Sequence, residues 1–122
     1  MAWDNATEEL AIRLYNTTKE RIVAPHVEQA DTVWKRFVGL MGRQSIQQDH
    51  ALLLDPCGSI HMFFMRFAID VIFLDSQDKV VRIVRNLKPW RISAASGAKK
   101  VIEMAAGSLD DSIETGDQLK LE

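Results

Sequence analysis

The run Cys57-Gly-Ser-Ile-His61-Met-Phe-Phe-Met-Arg66-Phe-Ala-Ile-Asp70 places a thiol, an imidazole, a guanidinium and a carboxylate in a stretch apolar enough for the centre of a core. Burying such groups is costly unless each finds a partner, so either a structural network or a ligand must hold them. Cys57 and His61 suggest a metal site or a nucleophile. Four residues of straight strand span about 13 Å, whereas two ligands of one zinc ion bring their donor atoms within roughly 3–4 Å. The pair meets only if Pro56-Cys57-Gly58 folds back, with His26 and His50 available only if the fold brings them in. No metal or other cofactor is therefore expected. A Cys–His nucleophile would need the same fold-back, an orienting group and an oxyanion donor. The plainer reading is a small buried thiol and a histidine bonded to backbone.

Arg66 and Asp70 share strand parity. Structurally, that predicts an ion pair neutralising both groups at a sheet edge. Functionally, it predicts a cleft in which Arg66, helped by Arg43 and Arg91, grips a carboxylate or phosphate with its planar fork, while Trp90, following a proline, either supplies a stacking wall or caps the core. Met62 to Met65 reads as core rather than as a soft Cu(I) site. No phosphate loop, dinucleotide fingerprint, serine elbow or zinc-protease helix is present.

Composition bounds these readings. A chain of 122 residues suits one domain over 1–122, with residues 1–9 expected to be disordered. A formal charge of −2 gives no broad attraction for nucleic acid or an anionic membrane, so neither is expected as a partner. The single cysteine excludes an intrachain disulfide and suits a reducing compartment, and Met1 to Glu9 is too acidic to begin a secretory signal. A cytoplasmic location is the expectation.

The positioning elements follow from periodicity. Leu10 to Tyr15 alternates as a strand, Asn16 to Lys19 turns, and Arg21 to His26 returns, with Pro25 expected at an end or edge. Val33, Trp34, Phe37, Leu40 and Met41 share one helical face, giving an amphipathic helix at 32–41, capped by Asp31 or Thr32 and ended by Gly42. Strands are expected at Ala51 to Leu54 and from Ile60 to Leu74, the latter with a bend near Arg66-Phe67-Ala68 and both faces buried. Lys79 to Arg85 should pair back as a hairpin, followed by a corner at Leu87 to Arg91 and a strand at Val101 to Met104. Leu109 to Glu114 could make one helical turn, and Gly116-Asp117 turns into a last strand. The fold class is mainly β (α+β): a small, partly closed barrel of six or seven short strands with one helix at an end.

Gly39-Leu-Met-Gly-Arg43, Ala51 to Leu54, Ser59-Ile-His-Met-Phe-Phe-Met-Arg66, Ile69 to Asp75, Pro89-Trp90-Arg91, Val101 to Gly107 and Gly116-Asp117 carry a resemblance. In this order, from about Ala30 onward, they resemble the bacterial and archaeal domain-of-unknown-function family 192. The resemblance implies a compact β-rich fold and no established reaction. The chain departs from the family at Ala68, where a proline is usual, and at Phe64 and Arg66, where tryptophan and lysine are common.

The reading that follows is a non-catalytic binding module with a cleft edged by Arg43, His61, Arg66, Asp70, Trp90 and Arg91, for a small anion or an acidic peptide segment. The alternatives are an enzyme using His61 and Asp70 as acid and base with Cys57 or a metal, and an interaction subunit binding a protein through exposed aromatic residues.

Overall fold

The computed structural model describes residues 12–30, 46–63 and 65–122. The helix expected at 32–41, its Gly42 cap, Arg43 and the segment 1–9 expected to be disordered lie outside these residues. The described residues form nine strands: β1 (Ile12–Asn16), β2 (Arg21–Ala30), β3 (His50–Leu54), β4 (Ser59–His61), β5 (Ile69–Leu74), β6 (Val80–Leu87), β7 (Ile92–Ala94), β8 (Lys100–Ala105) and β9 (Leu119–Leu121). Seven form one curled sheet in the order β6-β5-β8-β3-β2-β1-β9, and β4 pairs with β7 in a second, two-stranded sheet. The mainly-β expectation holds, with two strands set apart from the main sheet. No described residue is helical, so no described helix is long and apolar enough to cross a membrane.

The curl brings the sheet's two edges, β6 and β9, together at one corner. Lys79 bridges to Gln118, Val80 N–H donates to the Asp117 carbonyl at 2.9 Å, and Gly116 N–H donates to that of Val80 at 2.8 Å. Pro25 lies inside β2 rather than at its end. It is tolerated because β2 bulges there: Ile12 faces Val27 while Leu14 faces Ala24, so three steps of β2 oppose two of β1.

Strand β5 is buried at all six positions. Its period-2 alternation feeds two apolar clusters. Ile72 and Leu74 join Leu14, Leu53, Ile102 and Leu119 on one face. Ile69, Val71 and Phe73 join Leu52, Ile60, Met62 and Val101 on the other. The expected long strand from Ile60 to Leu74 is therefore two strands. Met65 N–H closes a turn on the Met62 carbonyl at 3.2 Å, and Met62 N–H donates to Arg91, which takes β4 away to β7. The β5–β6 hairpin has Asp78 at a φ of 64°. The Asp75 carboxylate accepts the N–H of Gln77 at 2.8 Å and of Lys79 at 3.0 Å. Leu109 to Glu114 turns without becoming helical. Arg85 takes the Leu109 and Asp110 carbonyls, each at 2.7 Å, and the Asp110 carboxylate accepts the Ser112 N–H, so local side-chain bonds replace helical ones.

Asp117 locks the closing corner. Only 3% exposed, it accepts Asn16 Nδ2 at 2.8 Å, Lys19 Nζ at 2.9 Å and the Glu114 N–H at 3.0 Å. Burial pushes its carboxyl up, but these bonds outweigh that and hold it below the ordinary carboxylate range, while the bond to Asp117 raises Lys19. A carboxyl depressed on folding adds stability that is complete above its unfolded value of about 3.9 and is lost as pH falls through the depressed folded value. Thermal melts across the acid range should therefore show a drop that Asp117→Asn flattens. An unchanged acid limb in that variant would remove Asp117 as its source.

Candidate functional site: an aromatic ridge among arginines

The two-stranded sheet covers the outer cluster with its inward residues and displays the others. Ile60 and Ser93, opposite each other in register, are buried, whereas His61 and its partner Ile92 face out. Gly58 is required where β4 begins, because a Cβ there would sit 3.0 Å from the Ala98 carbonyl oxygen. Beyond β4 and ahead of β7 the two chains interlock: Met62 N–H donates to the Arg91 carbonyl and Trp90 N–H to that of Met62, both at 2.7 Å. These bonds hold Trp90 at a φ of 69°, a conformation that a bulky L-residue rarely adopts.

The result is a row of rings. His61 and Phe63 have centroids 4.9 Å apart at 31°, and Phe63 and Trp90 are 5.8 Å apart at 32°. Trp90 is 59% exposed and Ile92 66%. The Phe63 N–H points at His61 Nδ1, 3.3 Å away, so that nitrogen is the acceptor and the neutral ring carries its proton on Nε2. Arg66, Lys88 and Arg91 are exposed on the flanking turns. Arg82 reaches from β6 to the Ala94 carbonyl of β7 at 2.6 Å. None of these four cations is ion-paired with a described carboxylate.

The structure thus brings together His61, Trp90 and Arg91, with Arg66 on the turn after Phe63. Asp70 does not belong with them. It is 1% exposed, and its carboxylate accepts the N–H groups of Asn86 at 2.9 Å, Gly107 at 3.0 Å and Leu109 at 3.3 Å. With three amide donors satisfying it, Asp70 makes neither the expected ion pair with Arg66 nor the rim of a cleft. Phe63, Ile92, Arg82 and Lys88 were not singled out from the sequence. The alternation His61-Met62-Phe63 was the available signal for Phe63.

The groups invoked for acid–base or metal chemistry are dispersed. The Cys57 thiol donates to the Ser59 carbonyl at 3.0 Å. His26 and His50, partners across the parallel β2–β3 pair, stack on each other with centroids 4.9 Å apart. His50 Nδ1 lies 2.8 Å from Asp49 Oδ1, and this bond holds the Asp49 carboxyl below the ordinary range. Among the described residues no three of His, Cys, Asp and Glu are placed to hold a metal ion.

The family DUF192, described as "Uncharacterized ACR, COG1430", matches residues 14–121. A UPF0127 protein of Thermococcus sibiricus is 41% identical over 115 residues, covering 89% of this chain and 74% of that protein. A UPF0127 protein of Pyrococcus furiosus is 38% identical over 114 residues, covering 88% and 96%. Among solved structures, a Sinorhizobium meliloti protein provisionally called a transcription regulator superposes with a TM-score of 0.74 at 26% identity, covering 89% of this chain and 90% of that one. A protein of unknown function from Novosphingobium aromaticivorans shares the fold with a TM-score of 0.73 at 21% identity, over 90% and 83%. The match across nearly all of β1 to β9 and the identity to the archaeal proteins place this chain in the DUF192 family.

Proposed function

We propose that the chain is a binding module without a reaction of its own, and that its ligand is anionic and docks on the ridge of His61, Phe63 and Trp90 between Arg66 and Arg91. The observation that carries this reading is Trp90, a large aromatic residue held in the left-handed region and left 59% exposed. A fold gains little from an arrangement that strains the backbone without burying the ring. A surface that must present the ring to a partner gains its contact area. Ligands that fit are a small anion and an anionic chain, an acidic peptide segment being one such chain, because unpaired guanidinium groups recognise carboxylate and phosphate alike. The single thiol suits a cytoplasmic setting.

Trp90→Asn separates this from a structural role, since asparagine tolerates positive φ. The variant should melt within a few degrees of the parent, yet lose retention on an immobilised polyanion at low salt. Arg66→Gln with Arg91→Gln should lose retention equally. A large drop in melting temperature for Trp90→Asn would make the ring part of the scaffold, and no retention of the parent on any anion would end the reading.

A further inference from the structure

We propose that this corner of the molecule docks on the surface of an anionic lipid bilayer, an inference that rests on the anion-binding reading and names what carries the anions. Four large apolar side chains are left exposed among the described residues, and three of them lie here: Phe63, Trp90 and Ile92. They form one patch. Ile92 stands opposite His61 in register and on the same outward face, where cross-strand Cβ atoms are about 5 Å apart. His61 in turn packs on Phe63, and Phe63 on Trp90. The rings brace one another, and what they offer a partner is the apolar surface that they and Ile92 still show to water. Beneath the patch, Ile60 is buried in the outer core cluster, which ties the two strands to the body of the protein.

The formal charge of −2, which argues against an anionic membrane for the chain as a whole, conceals a segregation. Residues 56–69 and 79–102 hold eight of the 15 Lys and Arg side chains and no Asp or Glu, so all 17 carboxylates lie elsewhere, beside seven cations. Lys79, Arg82, Arg85, Lys88 and Arg91 recur at every third position, and all five are exposed. Arg85 is committed to two carbonyls. Arg66, Lys88 and Arg91 flank the patch on its turns, and Arg82 reaches the end of β7 beside it. A bilayer uses both features at once. Protruding Trp, Phe and Ile side chains enter the boundary between headgroups and acyl chains without needing a pocket of matching shape, and Lys and Arg at their base meet the lipid phosphates. A soluble anion or an acidic peptide would engage the cations and leave Ile92 in water. A folded protein partner would have to supply pockets shaped to the protruding side chains.

The test is sedimentation of the full chain with vesicles of phosphatidylcholine alone or mixed with phosphatidylglycerol, with polyaspartate and oligothymidylate as soluble competitors. The mixed vesicles should carry the protein down, and Arg66→Gln and Arg91→Gln should each weaken their binding about five-fold. Ile92→Gln keeps every cation, so adsorption by charge alone is indifferent to it, whereas an inserted side chain predicts a loss of about ten-fold. Bromine on the acyl chains should quench tryptophan emission in the parent and do so less in Trp90→Phe. Equal vesicle binding by the parent and Ile92→Gln, with no quenching, overturns insertion. Equal binding to neutral vesicles overturns the part given to the cations. Retention on an immobilised polyanion without vesicle binding overturns docking on a bilayer and leaves the anion-binding module standing, as does full displacement by polyaspartate or oligothymidylate in favour of that ligand. If neither vesicles nor any anion binds, the underlying reading falls as well.

Discussion

Phe73→Ala is expected to lower the unfolding free energy by roughly 3–5 kcal/mol, the range for removing a fully enclosed aromatic ring. Phe73 is 0% exposed. It stands in β5 between Val101 of β8 and Arg82 of β6, and its ring belongs to the cluster of Leu52, Leu54, Val71 and Val101. Two hydrogen-bonded neighbours fix its backbone, so the surrounding strands cannot collapse far into the space vacated, and both the transfer term and the cavity term should appear. Urea melts measure it. A loss below about 1 kcal/mol would mean that the ring is peripheral and the register of β5 is different.

Asp70→Ala should be comparably severe, at roughly 3–5 kcal/mol, because it leaves the amides of Asn86, Gly107 and Leu109 without their acceptor at a buried position. Those residues end β6 and follow β8, and two of them need positive φ: 55° at Asn86 and 83° at Gly107. The carboxylate is what holds these turns against one another. Asp70→Asn keeps one acceptor oxygen and should lose less. Amide exchange at Gly107 and Leu109 supplies a second readout, since it should accelerate in the alanine variant before global unfolding. Unchanged protection there, with a stability loss under about 1 kcal/mol, would show that other groups hold the turns.

Particular residues show what the sequence made legible. The apolar Val71 to Leu74 stretch, at the end of the run expected as one strand from Ile60, signalled burial on both faces, because only a central strand can accept apolar side chains at consecutive positions. Asp75 to Asp78 announced the hairpin through its turn chemistry. Asp70 was misread because sequence reasoning pairs charges with charges, whereas its partners are backbone amides up to 39 residues away, whose positions depend on turns that close only in the fold. The separation of β4 and β7 was hidden for the same reason: His61 faces Ile92 across a register that no local pattern encodes. Pro25 looked like a strand end because the bulge accommodating it is set by the pairing with β1. The arginines were recognised as a group, but their neighbourhood was averaged into a net charge, although the carboxylate-free stretch from Lys79 to Ile102 stood in the sequence.

The order of strands in the main sheet bears on how the chain is made. Strand β1 has β2 on one side and β9 on the other, with Leu14 opposite Leu121. The earliest described strand therefore waits for the latest one before its second row of hydrogen bonds can form, and a ribosome must release everything through Leu121 first. Until then Leu14 and the other flank of β1 present an unpaired template to neighbouring chains, the condition under which nascent β proteins aggregate. The β5–β6 hairpin can form locally at once, but joining Leu14 to Leu121 closes one of the longest loops in the molecule, which places this fold among the slow folders of its size.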